Sequence, residues 1–255
     1  MDLARALSLE SRELVSFVGA GGKKTAMAHL VREGTACDRN AVYTTTTKMP
    51  PPSGLPLELV APSDLSDVST LEDRQLPVAL AHRRVADPKR VTEKVSGYTP
   101  AVISSLFETG AIDWILVKAD GARMREFKAP GPEEPQIPRV STVVVPVVSA
   151  HVIGQPLTEA LVHRIERVEH CSGLAAGETV TAEAVGRVLA HPAGGLKGVP
   201  NGATVIPMVN KADTPALEAH AQDVLSVALK TTTPAQIEYG LISSFEADRL
   251  TVVQH

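Results

Sequence analysis

Leu14-Val15-Ser16-Phe17-Val18-Gly19-Ala20-Gly21-Gly22-Lys23-Lys24-Thr25 is the stretch that decides the fold. A short apolar run of strand type passes into three glycines in four positions, then two lysines and a threonine, then a helix-forming stretch from Ala26 to Glu33. Glycine lets successive backbone N–H groups turn toward an anion with no Cβ in the way. A helix N-terminus adds roughly half a positive charge at the same point. A lysine can neutralise the outer phosphates of a nucleotide, and a Ser or Thr hydroxyl can bind Mg2+. The stretch therefore predicts a strand, a phosphate-holding loop and a helix. The plain alternative is a glycine-rich strand-to-helix turn with a solvated lysine pair.

The standard spacing of such loops is G-x-x-x-x-G-K-[ST]. Here the loop is shorter, and Lys24 stands where the hydroxyl is expected. In one register Lys23 holds the phosphates and Thr25 is displaced by one. In the other, Lys24-Thr25 is the working pair and Lys23 replaces the last glycine. Adjacency of lysine and hydroxyl favours the second. Gly19, Ala20, Gly21, Gly22, Lys23, Lys24 and Thr25 are thus candidate nucleotide-binding residues, with Lys24 also catalytic and Thr25 also a metal ligand.

Outward from this stretch, strand candidates are Leu14–Val18, Ala41–Thr45, Leu57–Ala61, Pro77–Ala81, Trp114–Ala119, Ser141–Val148, Thr204–Val209 and Ile237–Ser243. Ile115-Leu116-Val117 and Val143-Val144-Val145 are continuous apolar runs, as fits strands covered on both faces. Helix candidates are Lys24–Glu33, Thr99–Thr109, Ala182–Leu189 and Ala216–Leu229. The alternation predicts an α/β protein with a mostly parallel sheet and helices on both faces, read as one domain over 1–255. Two proline-rich loops, Met49–Pro56 and Ala129–Pro138, are surface connections or rigid walls near the strand ends, where α/β proteins bind ligands.

Three further constellations follow. Ile115-Leu116-Val117-Lys118-Ala119-Asp120-Gly121 is an apolar strand ending in an acid, the place from which a carboxylate faces Mg2+ in phosphate-loop proteins. Asp120 is therefore a candidate catalytic residue and metal ligand. Asn210-Lys211-Ala212-Asp213 after an apolar strand has the N-K-x-D spacing that reads guanine: Asp213 would accept two N–H groups of the base, the Lys211 stem would lie over it, and Asn210 would tie loops together. Its alternative is a turn with Asp213 near a helix N-cap. Thr44-Thr45-Thr46-Thr47-Lys48 ends a strand, with Thr47 and Lys48 either facing the phosphates or serving β propensity alone. His163 and His191 lack metal-ligand spacing, and Arg164 is a candidate charge for a phosphate.

Bulk properties set bounds. Lys plus Arg number 25 against 29 Asp plus Glu, a formal charge of −4 that gives no argument for a nucleic-acid partner. No apolar run reaches transmembrane length, and Met1-Asp2-Leu3-Ala4-Arg5 does not read as a signal peptide. Cys37 and Cys171 form no CxxC pair, which argues against a zinc site or disulfide framework. The chain reads as soluble and cytoplasmic.

The motifs occur in a telling order. Phe17 to Thr25, Thr44 to Lys48, Ala119-Asp120-Gly121-Ala122-Arg123, Phe127-Lys128-Ala129-Pro130 with Glu134-Pro135 and Ile137-Pro138, Val162-His163-Arg164 and Asn210 to Asp213 together resemble the YqeC family, the selenium-dependent hydroxylase accessory proteins. The resemblance spans about residues 14 to 215. It implies a three-layer P-loop NTPase-like fold that uses Mg2+ and GTP or ATP. It also implies a role in maturing selenium-dependent molybdenum hydroxylases, and so a hydroxylase or its maturation factors as partner. Lys23, Lys24, Thr25, Thr47, Lys48, Asp120, Arg123, Lys128, Glu134, His163, Arg164, Asn210 and Asp213 match its motifs by position. One position departs: family members often carry Glu before Ala-Asp-Gly, where this chain has Lys118. If that acid binds metal or activates water, hydrolysis is in question here.

Three functions compete on these grounds. The leading one is an Mg2+-dependent nucleotide hydrolase that assists metallocofactor maturation. The others are a phosphotransferase or nucleotide-dependent ligase acting on a small molecule, and a nucleotide-binding module that barely turns over.

Overall fold

The computed structural model describes residues 1–66, 77–86, 93–233 and 236–255. The strands in chain order are β1 Glu13–Gly19, β2 Ala41–Thr45, β3 Lys48–Met49, β4 Leu57–Leu59, β5 Val78–Ala81, β6 Arg83–Val85, β7 Lys94–Ser96, β8 Trp114–Lys118, β9 Phe127–Lys128, β10 Val143–Ser149, β11 Val162–His163, β12 Thr204–Val205, β13 Met208–Asn210, β14 Tyr239–Ser244 and β15 Arg249–Gln254. The helices are α1 Leu3–Ala6, α2 Lys23–Ala36, α3 Pro100–Thr109, α4 Ile165–Ser172, α5 Ala182–Ala190 and α6 Pro215–Thr231.

The main sheet has ten strands in the order β15-β14-β13-β10-β1-β8-β2-β5-β4, with β12 also on β10. Its pairings are parallel except β14 with β15, which closes one edge antiparallel. Alternation along β1 shows the layering. Val15 and Phe17 enter a core with α1 and α2, whereas Leu14 and Val18 enter one with α3 on the other face. A third core packs α4, α5 and α6 against β10, β13 and β14, on the same side as α3. Helices therefore cover both faces of a mostly parallel sheet, and β1 and β10 read as continuous apolar runs because both their faces are buried.

The stretch predicted as one strand over Thr204–Val209 is two segments, β12 and β13. Both pair with β10 in one register, and on it Pro207 falls opposite Pro146. Neither proline has an N–H for the ladder, so pairing lapses at that rung and resumes beyond it. The helices begin where their caps require. Thr99, Thr181 and Thr214 each accept from a first-turn N–H, with Pro100 and Pro215 opening α3 and α6. No helix among the described residues is long and apolar enough to cross a membrane.

Parallel strands bring their C-terminal ends to one edge. Gly19 of β1, Thr45 of β2, Lys118 of β8, Ser149 of β10 and Asn210 of β13 therefore share a rim, the crevice side of an open α/β sheet.

Candidate functional site

The backbone of the glycine loop is built against its neighbours. Gly19, Gly21 and Gly22 all have positive φ, of 87°, 80° and 127°. A Cβ on Gly19 would run into the Val147 carbonyl, one on Gly21 into Ser149, and one on Gly22 into the Asn210 amide. Asn210 sits under the loop, its Nδ2 donating to the Gly21 carbonyl at 2.9 Å and its Oδ1 accepting from Ser243 Oγ at 3.0 Å. Gly22→Ala is expected to cost at least about 1–2 kcal/mol through the left-handed backbone alone, and more through the displaced Asn210. A urea midpoint equal to wild type would contradict this reading of the loop.

Gly22 is also the N-cap of α2 and offers no side-chain cap, unlike the threonines that begin α3, α5 and α6. The Thr25 and Ala26 N–H groups donate to the Gly22 carbonyl, which leaves those of Lys23 and Lys24 without a capping side chain and facing the position of an anion.

Lys23 opens α2 and is only 4% exposed. Helical side chains lean toward the N-terminus, and its ammonium folds back over the loop to the Gly19 carbonyl and to Asp120 Oδ1, the latter at 2.7 Å. Lys24, one residue on, is half-buried and turned into a cleft. The Lys23 ammonium therefore reaches across the loop, while Lys24, favoured by adjacency to Thr25, lines the cleft.

Asp120 is 1% exposed and held from three sides. Its Oδ1 faces Lys23, while its Oδ2 accepts from the Gly19 N–H at 2.9 Å and pairs with Lys128 Nζ at 2.9 Å. Burial disfavours the charge, but the two ammonium groups outweigh it and hold the carboxyl down at about 2. The network extends outward. Lys128 also donates to the Gly121 carbonyl and pairs with Glu134 Oε2 at 2.6 Å, and the same Glu134 oxygen takes Arg164 Nη1 at 2.6 Å. Lys118, 7% exposed, donates to Thr47 Oγ1 at 3.1 Å and to the Asp120 carbonyl at 2.5 Å. Burial first, then repulsion from Lys23, brings its ammonium down to about 7. His163 is pushed down to about 4, by burial and then by Arg164.

Above the loop lies a cleft of about 600 Å³, lined by the loop itself, Thr25, Met49, Pro50 and the segment from Gly121 to Glu126. Six lysines line it: Lys23, Lys24, Lys48, Lys94, Lys118 and Lys211. Arg123 and Arg125 raise the basic count among the described residues to eight, against one acid, Glu126, which pairs with Lys211 at 2.7 Å. Arg123 and Met124 hold left-handed backbone at φ 49° and 63° on this rim, and Met124 is exposed. Two successive non-glycine residues in that region cost energy and need a supporting surround.

Most residues named from sequence gather here: Ala20, Gly21, Gly22, Lys23, Lys24, Thr25, Lys48 and Lys211 line the cleft, with Gly19, Thr47, Asp120 and Asn210 immediately behind it. Arg164 and Asp213 lie outside the lining. Arg164 serves Glu134. Asp213 accepts from Ser244 Oγ at 2.6 Å and faces His151 Nε2 at 3.5 Å, and Thr214, the next residue, caps α6. Met49 and Pro50, from the first proline-rich loop, line the cleft, whereas sequence reasoning did not single out Lys94, Arg125, Glu126 or Met124. None belongs to a spaced motif, and only the charge pattern Arg123-Met124-Arg125-Glu126 right after the strand-end acid could have signalled them.

For Mg2+, the ion that the phosphate-loop resemblance implies, the donors at hand do not make a site. Asp120 has both oxygens engaged by cations and an N–H, and Thr25 is exposed on α2 beyond Lys24. No group of three or more His, Cys, Asp or Glu side chains able to hold a metal occurs among the described residues.

The chain matches the YqeC protein family over residues 15–166. It is 31% identical over 206 residues to the Uncharacterized protein YqeC of Escherichia coli (strain K12), covering 78% of this chain and 75% of that protein. Among solved structures it is similar to FtsY from Mycoplasma mycoides, at 11% identity and a TM-score of 0.42, over 98% of this chain and 67% of that one.

Proposed function

This chain belongs to the YqeC family, and from that premise we propose that it binds a nucleoside triphosphate, GTP or ATP, with the phosphates on the glycine loop. The observation that carries this reading is the charge of the cleft: eight basic side chains and one already paired acid over an α2 N-terminus with no side-chain cap. A triphosphate supplies several negative charges and a row of acceptor oxygens, which is what such a surface lacks. The cleft volume lies within the range of small-molecule sites. Equilibrium titration with fluorescent GTP and ATP tests the proposal, and absence of saturable binding to both would end it.

Base choice follows from Asp213. A guanine edge would have to displace Ser244 Oγ from its carboxylate. The expected result is comparable affinity for GTP and ATP, unchanged in Asp213→Asn. A GTP preference of about tenfold or more, lost in that variant, would instead give Asp213 the base-reading role.

The finer role is assistance in the maturation of selenium-dependent molybdenum hydroxylases. Its support is the ordered set of family-type motifs, with Lys128, Glu134 and Arg164 joined in one ion-pair network. Catalysis in that reading would be positioning and charge neutralisation at the phosphates, with Lys23 and Lys24 as the groups nearest the loop. Affinity purification of the tagged chain with bound nucleotide should bring down a molybdenum hydroxylase or one of its maturation factors. Recovery of neither would leave a nucleotide-binding protein without that client. A small-molecule transferase is the second reading, favoured by the apolar side chains of Met49, Pro50 and Met124 in the cleft lining. Phosphate transfer that requires an added acceptor would mark it.

A further inference from the structure

We propose that lysine ammonium groups stand in this cleft where a divalent cation would otherwise bridge protein and phosphates, so that the triphosphate binds equally well with and without Mg2+. The inference rests on the nucleotide reading above and concerns what neutralises the phosphates.

Three observations converge. The residue following Lys23, where the standard loop spacing puts the metal-binding hydroxyl, is Lys24, and it faces the cleft. The strand-end acid is closed off: Asp120 lies between Lys23 at 2.7 Å and Lys128 at 2.9 Å, with the Gly19 N–H on the same oxygen as Lys128. On the strand leading to it, Lys118 lines the cleft with its ammonium anchored by Thr47 Oγ1 and the Asp120 carbonyl. Among the described residues that leaves Glu126 as the acid in the lining, and Lys211 holds it at 2.7 Å.

The chemistry of the two ions differs. Mg2+ demands near-octahedral oxygen donors and, in phosphate sites, usually keeps one or two carboxylates. No free carboxylate among the described residues lines this cleft, and an ion placed beside Lys24 and Lys118 would meet like charge. An ammonium needs none of this. It offers three donors to phosphate oxygens as a compact point charge, and two here, on Lys23 and Lys118, are already fixed by carbonyl acceptors. Positioned cations thus replace the mobile one.

The test is a titration of the full chain with fluorescent GTP and ATP, once in Mg2+ and once in excess EDTA, beside thermal melts in the same buffers. The expected result is the same affinity and the same nucleotide-induced rise in Tm in both. Loss of about tenfold or more on chelation would overturn the inference while leaving nucleotide binding intact. Binding in neither buffer would remove the nucleotide reading, and this inference with it. Lys24→Thr supplies the missing hydroxyl on a half-buried position, and Lys118→Met keeps most of the side-chain volume. Each should weaken binding in EDTA by about tenfold, a charge-assisted bond of about 1.5 kcal/mol, and Lys24→Thr should recover part of it in Mg2+. Folded variants that both bind like wild type in EDTA would equally overturn it.

Discussion

Asp120→Asn is expected to be the most destabilising conservative change in this protein, costing about 3–5 kcal/mol, as when one partner of a buried ion pair is removed. The carboxylate is the common counter-charge of Lys23 and Lys128, both buried, and it accepts the Gly19 N–H that starts the glycine loop. Asparagine keeps the shape and leaves two ammonium groups facing a neutral amide. The pH dependence has a definite sign. The native carboxyl sits at about 2 against an ordinary 3.8. A depressed acid stabilises the fold above its unfolded value, and that stabilisation is lost as pH falls from 3.8 toward 2. Urea unfolding at neutral pH and near pH 3 checks both statements. A variant as stable as wild type, with the same acid sensitivity, would show that Asp120 does not hold the site together.

Lys23→Met is expected to act the other way, lowering nucleotide affinity roughly tenfold to a hundredfold, as loss of a charge-assisted bond does, with a smaller effect on stability. The network of Lys23, Lys118, Lys128 and Arg164 faces two acids, Asp120 and Glu134, so it carries surplus positive charge. Burial already opposes the Lys23 charge and lowers its pKa. Removing it leaves Asp120 paired with Lys128 through Oδ2, so the fold loses less than in Asp120→Asn while the phosphates lose the cation that spans the loop. The same surplus means that a bound anion stabilises the native state by mass action. Comparing denaturation midpoints and titrations of the two variants separates the roles. A Lys23→Met variant less stable than Asp120→Asn, or one with undiminished affinity, would contradict the assignment.

Much of this architecture is legible in the sequence because its signals are local. Glycines after an apolar run, threonine-proline helix starts at Thr99 and Thr214, and uninterrupted valines in β10 each have one structural solution. Short or half-exposed elements carry no such signal. α1 has four residues, α4 has eight and starts from a left-handed Arg164, and β15 is a largely exposed antiparallel edge. The glycine loop, Asp120 and Lys48 could be named from their motifs. The partners of Asp120 could not be derived that way: Lys23 reaches it from the loop after β1, the parallel neighbour of β8, and Lys128 reaches the same carboxylate from β9. Lys118 is legible as an unexpected residue, but that it faces the cleft follows from the end of β8, not from spacing. That the Lys23 ammonium folds back over the loop depends on the helix starting at Lys23, which the short glycine run leaves ambiguous.

The most direct measurement is a crystal structure of the full chain grown with a non-hydrolysable GTP or ATP analogue. The expected result is phosphate oxygens within hydrogen-bond distance of backbone N–H groups from Gly21 to Lys24, with ammonium groups of Lys23, Lys24 and Lys118 directed at them. An analogue bound elsewhere, for instance in the groove of about 650 Å³ between Met1, Tyr239 and Val252, with the glycine loop untouched, would contradict it.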